Sequence, residues 1–290
     1  YYTPSSSFSI GSYDKMGYMK IRVLIVSAIV FIFAITTTVY DSTHGALTRL
    51  NVEKITLSSS KIPEVFNEMT LIYFSDLHAF TLSDAYYQSV IDKINALNPD
   101  FVVFGGDLID EGSYASYSET ERKALIALFK SIKAPYGKYA ILSELDLNHQ
   151  TELQALYLEA GFEVLNSKLI PIHVLGESKI NFLGWDEMSS SELLSGLVSS
   201  DYTVAFAYDP DASSTLNEKN VDVLFTGKTH GGQVTLPLIG PLFMKSEIHQ
   251  KGLTHLSALD LYVSTGIGVS NLKARWLTDP SITLITFKNN

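Results

Sequence analysis

From residue 70 to residue 287 the chain repeats one pattern: a short apolar run that stops at a polar or glycine-rich cluster. Thr70–Phe74 ends in Ser75-Asp76-Leu77-His78, and Phe101–Phe104 in Gly105-Gly106-Asp107. Tyr139–Leu142 ends in Ser143-Glu144-Leu145-Asp146, and Thr203–Ala207 in Tyr208-Asp209-Pro210-Asp211. Val221–Phe225 leads into Gly227-Lys228-Thr229-His230-Gly231-Gly232-Gln233, and further runs lie at Ile180–Leu183, Leu261–Val263 and Ile282–Phe287. Several runs are apolar at every position, the pattern of strands covered on both faces. Between them Tyr87, Val90, Ile91, Ile94 and Leu97 recur at helical spacing, as do Leu125, Leu128, Phe129 and Ile132 behind a Ser118/Glu121 capping box. A third helix is expected through Leu153, Leu156, Tyr157 and Ala160, boxed by Thr151/Gln154 and stopped by Gly161. Strand–helix alternation implies an α/β architecture. The later strands have few helices between them, which predicts a second, more antiparallel sheet.

The polar clusters fall where α/β sheets bind ligands, beyond the carboxyl ends of the strands. Taken singly, Asp-x-His and Gly-Gly-Asp are ordinary turns, and one histidine is an ordinary polar residue. In succession at strand ends they make a candidate site. In extended chain, side chains at i and i+2 point the same way, so Asp76 and His78 are expected to share one ligand. The glycines before Asp107 and after His230 allow close backbone approach. The chain has no cysteine, so a metal must be held by His, Asp, Glu or Asn, a set suited to Mn, Fe, Zn or Mg. A formal net charge of −10 argues against nucleic acid as a partner. It does not exclude a phosphorylated substrate, because a bound cation can invert the local field.

Val23–Tyr40 carries no charged side chain and approaches the roughly 20 residues that span a bilayer. Lys15, Lys20 and Arg22 precede it and Asp41 follows, which predicts a cytoplasmic N-terminus and a main domain outside the cell membrane. The expected division is a disordered cytoplasmic tail over 1–20, a single-pass signal-anchor over 21–40 and a folded domain over 50–288. A buried core helix and a cleaved signal peptide are the alternatives for the apolar run. Residues 1–15 lack a starting methionine, and Met16 and Met19 are candidate starts.

From about Asn51 to Lys288 the chain resembles the calcineurin-like metallophosphoesterases, especially a small bacterial branch with an N-terminal membrane anchor. The family pattern is Asp-x-His, Gly-Asp, Gly-Asn-His-Asp, a histidine before Asn-Pro-Asp, then Gly-His-Thr-His-Gly-Gly-Gln. Here the segments read FSDLHAF, FGGDLID, ILSELD, AYDPD and TGKTHGGQ, and the tail LYVSTGIGVSNLKARWLTDPSITLITF, with Arg275, is similar too. The resemblance implies a four-layer αββα sandwich of two mixed sheets flanked by helices, preceded here by one transmembrane helix. It also implies phosphomonoester or phosphodiester hydrolysis by a metal-bound hydroxide, acting on small phosphorylated or nucleotide-lipid substrates.

The implied ligands divide into two sets. Those of the family's first metal are present as Asp76, His78, Asp107 and His230. The other positions of the second metal are Glu144, Tyr208 and Lys228, and the general-acid position is Leu145. One divalent cation, Mn, Fe or Zn, is therefore expected. A Lys228–Glu144 salt bridge in place of the second metal is one reading, with Lys228 as a phosphate-binding charge. Glu144 as a ligand beside a neutral Lys228 is another. A third reading takes Asn148-His149 as the displaced Asn-His pair. Asp146, His149 and Arg275 are accessory candidates. The implied function is a weakened, mononuclear phosphoesterase; the alternatives are a binding protein without turnover that keeps one metal, or a metal-free scaffold.

Overall fold

The structure, a computed structural model, describes residues 11–114, 117–186, 188–242, 246, 251–270 and 272–290. Residues 1–10 of the expected tail lie outside them. Strands β1 (Asn51–Ser58), β2 (Thr70–Phe74), β3 (Phe101–Phe104), β4 (Gly137–Ala140) and β5 (Glu163–Val164) open the domain. Then come β6 (Lys168–His173), β7 (Lys179–Trp185), β8 (Thr203–Ala207), β9 (Val223–Thr226) and a small hairpin, β10 (Thr235–Leu236) and β11 (Gly240–Pro241). The chain ends with β12 (Gly252–His255), β13 (Asp260–Val263) and β14 (Ser281–Lys288). One sheet has the order β1-β14-β2-β3-β4-β5 and the other β12-β13-β9-β8-β7-β6. The second sheet is antiparallel at both edges, but its centre β13-β9-β8-β7 is parallel.

The continuous apolar runs have a direct cause: alternate residues serve two different cores. Leu71 and Tyr73 of β2 and Phe101 and Val103 of β3 face the other sheet, where Phe182, Val204, Phe206 and Phe225 meet them. Ile72, Phe74, Val102 and Phe104 point the opposite way, onto helices Asp84–Ala96, Glu119–Lys130 and Gln150–Glu159 through Ile91, Phe129 and Leu156. On the second sheet Leu183, Ala205 and Leu224 carry a third apolar layer with Leu197 and Leu216. Three cores between four layers give the expected αββα sandwich. Each large side chain so buried contributes about 1.5–3 kcal/mol.

The capping box at Ser118/Glu121 forms and Gly161 stands at φ 80° after the third helix. The Thr151/Gln154 box does not form. A 3₁₀ turn, Asp146–His149, runs straight into the helix from Gln150, so Thr151 already lies inside it.

An N-terminal helix, Gly11–Thr43, precedes the domain. An 18-residue window within Gly17–Thr48 reaches a mean hydropathy of 2.4, and none of that window is buried against the protein. This disfavours the buried-core alternative and leaves a helix long and apolar enough to cross a membrane. Its end is tied to the domain. Asp41 pairs with Arg49 at 2.5 Å, Arg49 pairs with Asp279 at 3.2 Å, and the Arg275 backbone N–H donates to the Ser42 carbonyl at 2.8 Å.

Candidate metal centre

The loop after β2 does not continue the strand. Asp76 and His78 stand at φ 55° and 44°, in the left-handed region, so strand alternation is not what brings their side chains together. The loops after β2 and β3 hold each other instead. The N–H groups of Asp76, His78 and Ala79 donate to the carbonyls of Gly106, Asp107 and Leu108 at 2.9, 3.2 and 2.8 Å. Gly266 closes from the other side, where a Cβ would stand 2.8 Å from the Asp76 Cβ. Asp107, Lys228 and His230 also have positive φ, at 59°, 70° and 51°. A non-glycine residue held there costs on the order of 1–3 kcal/mol, and such strain concentrates at functional sites.

Those turns aim four buried side chains at one point. Ligand atoms of Asp76, His78, Asp107 and His230 all lie within 4.8 Å of one another. The Nε2 atoms of His78 and His230 are 2.8 Å apart, and His78 Nε2 is 3.2 Å from Asp107 Oδ2. His78 Nδ1 is 2.6 Å from Asp110 Oδ1, a pairing that puts the proton on Nδ1 and turns the Nε2 lone pair inward. Asp76 accepts from Ser75 Oγ at 2.5 Å and from the Lys228 backbone N–H at 3.0 Å. Asp107 Oδ1 is buried without a hydrogen-bond partner. Burial, above all, pushes the Asp107 carboxyl up to about 7 despite the pull of His78. Two buried carboxylates, an orphaned oxygen and an inward-facing imidazole fit a divalent cation held by oxygen and nitrogen.

The adjoining half holds other groups. Tyr208 donates its hydroxyl to Asp107 Oδ2 at 2.8 Å. Lys228 Nζ is 3.0 Å from Glu144 Oε1 and also binds Asp209 Oδ2. Partial burial opposes the Lys228 charge, but hydrogen bonds to Asp209 and Glu144 outweigh it and raise its pKa. Glu144 is exposed and stands apart from the four-residue cluster, which weighs against Glu144 as a ligand beside a neutral lysine. Leu145 is half-buried and offers no proton. His149 stacks on Tyr114 at 3.8 Å rather than entering the centre. Asp146 is fully buried below it, accepting from the N–H groups of Asp107 and Ser143 at 2.8 and 2.9 Å and from the Tyr114 hydroxyl at 2.9 Å. Arg275, also fully buried, donates to the carbonyls of Thr265, Gly266, Gly268 and Thr278, with Nη2 3.4 Å from His230 Nδ1. Burial lowers its pKa to about 10.

The sequence profile of the calcineurin-like phosphoesterases matches residues 69–232, more than half the chain and the stretch that carries all four clustered residues. The chain belongs to that family. It is similar to the metallophosphoesterase YkuE of Bacillus subtilis, with 30% identity over 81% of this chain and 84% of that protein. It is also similar to a zebrafish (Danio rerio) transmembrane protein with a metallophosphoesterase domain, at 25% identity over 82% of this chain and 57% of the relative. A third relative is the UDP-2,3-diacylglucosamine pyrophosphatase LpxG of Chlamydia trachomatis, at 22% identity over 64% of this chain and 72% of the relative.

Beside this calcineurin-like centre lies a cavity of about 660 Å³, lined by Glu144, Trp185, Asp186, Tyr208, Asp209 and Asp211 among others. Sequence reasoning missed Asp110, Asp209 and Ser75. Asp110 stands three residues after Asp107, a spacing that could have suggested a partner for His78. Asp209 was legible only as part of a turn.

Proposed function

We propose that the chain is a membrane-anchored phosphoesterase that works with one divalent cation, its domain outside the cell membrane. The observation that carries the reading is the contrast between two halves of one centre. Four buried nitrogen and oxygen donors converge in one half, while a phenol and an ammonium fill the other. Asp76, His78, Asp107 and His230 would hold Mn, Fe or Zn, and the cation would supply Lewis-acid activation of water and of a phosphoryl oxygen.

The chain's own groups do the rest. Lys228 keeps its charge at neutral pH. Glu144 and Asp209 engage two of its three donors, which leaves one for a phosphoryl oxygen. Tyr208 holds Asp107 Oδ2 and so fixes the orientation of that carboxylate. Leu145 cannot protonate a leaving group, so substrates whose leaving oxygen is a weak base are favoured. Small phosphorylated compounds or a nucleotide-linked lipid are the proposed substrates; the name of LpxG supports the latter. The uncharged Val23–Tyr40 helix behind Lys15, Lys20 and Arg22 supports the orientation. Leu145 favours a second reading, binding without turnover.

Elemental analysis of the full chain in detergent tests the proposal. About one cation per chain is expected, lost in His230→Ala. Two tightly held cations would refute the one-cation centre, and none would refute the metal reading. Hydrolysis of an aryl phosphodiester then separates the enzyme from the binding protein.

A further inference from the structure

One segment beside the centre breaks two rules at once. Leu236 to Leu242 reads LPLIGPL, with no charged residue in seven positions. At its tip Leu238 is 109% exposed and Ile239 77% exposed. Leu238 also stands at φ 66°, where a hairpin ordinarily places Gly, Asn or Asp. In water this arrangement strains the backbone and gains nothing from the side chain. In a lipid surface the same leucine becomes a buried apolar group, which leaving water favours.

The neighbours place this tip next to the anchor. The Thr235 N–H donates to the Trp276 carbonyl at 2.9 Å, and Val234 bridges to Trp276, so the hairpin base lies against the 272–278 loop. That loop carries exposed Leu272 and Leu277 and half-buried Trp276, a residue type favoured at membrane interfaces. One residue earlier, the Arg275 N–H is bonded to Ser42, two positions past the uncharged run of the N-terminal helix. Lys251, exposed, donates to the Leu277 carbonyl at 3.1 Å and sets a positive charge at the edge of the apolar group. Leu238, Ile239, Leu242, Leu272 and Leu277 are thus exposed apolar side chains on two segments whose backbones are bonded to each other, one of them bonded also to the end of the helix, with exposed Lys273 among them. Their partner by chemistry and by position is the bilayer that the helix enters.

We infer that the 236–242 hairpin and the 272–277 loop are a second membrane contact, which holds the metal centre at the lipid surface and selects phosphoesters that reside in the membrane. The connection to the centre is short. Gly232, two residues from His230, packs so closely on the hairpin that a Cβ there would stand 2.2 Å from the Pro241 Cβ. The Leu242 N–H donates to the Val234 carbonyl at 2.8 Å. The membrane contact rests on the reading of the N-terminal helix as a span. The substrate consequence rests in addition on the phosphoesterase reading.

The chain has no cysteine, so single-cysteine labels report one place each. The full chain in lipid nanodiscs would carry an environment-sensitive fluorophore at Leu238→Cys, Ile239→Cys, Val39→Cys in the helix, or Leu175→Cys, an exposed position on the β6–β7 turn. Labels at 238, 239 and 39 are expected to be quenched by nitroxide lipids and shielded from aqueous iodide, and the label at 175 to show the reverse. A label at 238 that behaves like that at 175 overturns the contact. A label at 39 that stays in water overturns the span and the contact with it. The double variant Leu238→Asp/Ile239→Asp, at two exposed positions and so neutral for folding, then tests the consequence. Turnover of a vesicle-embedded aryl phosphodiester lipid should fall at least about tenfold, with a soluble aryl phosphodiester unchanged. Equal effects on both substrates overturn the selection. Absence of all turnover in the parent chain refutes the phosphoesterase reading instead, while the quenching still decides the contact.

Discussion

Replacing Lys228 by methionine keeps the aliphatic stem and deletes the ammonium. The lysine side chain is 21% exposed, and those of its partners Glu144 and Asp209 are 43% and 25% exposed. Pairs so open to water are screened, and their loss costs less than about 1 kcal/mol. In a domain of this size that moves the thermal midpoint by roughly 2–4 °C. At a phosphoryl oxygen the same group makes a charge-assisted hydrogen bond worth about 1.5–3 kcal/mol. Its loss should lower kcat/KM roughly 10- to 150-fold. The assay is hydrolysis of an aryl phosphodiester by the full chain in detergent with saturating Mn, beside a melting curve of the same preparation. A variant within about twofold of the parent in kcat/KM would remove Lys228 from the reaction. A midpoint lowered by more than about 10 °C would make it a structural residue.

Restoring the family residues together, Glu144→Asn, Leu145→His, Tyr208→His and Lys228→His, should raise the metal content from about one to about two per chain and speed alkyl-ester hydrolysis; unchanged stoichiometry by elemental analysis would count against the two-halves argument. Asp146→Asn removes the charge that three backbone N–H groups and Tyr114 bind, and should cost about 2–4 kcal/mol in urea unfolding while weakening cation affinity; parent-like values for both would show that the clamp under Asp107 is idle. In the cation-free protein Asp107 titrates near 7, above its unfolded value. The native state then binds the extra proton, so this group's contribution falls as pH rises from about 4 to about 7. Melting midpoints of the stripped protein should therefore drop across that window, and added Mn should flatten or reverse the trend; a rising midpoint without cation would contradict the assignment.

The fold was legible where both strand faces are buried. Each of the eight apolar runs overlaps a strand, although β4 holds only Tyr139 and Ala140 of the Tyr139–Leu142 run and β9 starts at Val223 rather than Val221; two-sided burial leaves a composition no surface segment has. β1 was missed because it is largely exposed and reads NVEKITLS. β6 was missed because Pro171 and exposed positions interrupt it. The four clustered residues were legible through their order at strand ends and through family resemblance, yet the local argument for Asp76 and His78 was wrong. It assumed extended chain, and the left-handed turns that do the work leave no mark in side-chain spacing. Hydrogen-bond partners such as Asp110 and Asp209 depend on how separate loops approach each other, which periodicity does not encode.

β14 enters the first sheet between β1 and β2, pairing Asn51 with Ser281 through Ser58 with Lys288 on one side and Thr283 with Tyr73 on the other. The strand that follows the N-terminal helix most closely therefore waits for Ser281–Lys288, far along the chain, before it has any partner in its sheet. Such long-range closure is slow, and an open strand edge invites pairing with other chains in the interval. The wait reaches the metal loop as well, since the Ser281 N–H donates to the Gly266 carbonyl beside Asp76. A chain cut before Ser281 would leave β1 and the facing edge of β2 unsealed and the Asp76 turn without its backing. Closure of the first sheet and of the Asp76 turn thus waits for Ser281–Lys288, and a nascent chain caught before that segment would present two sticky edges.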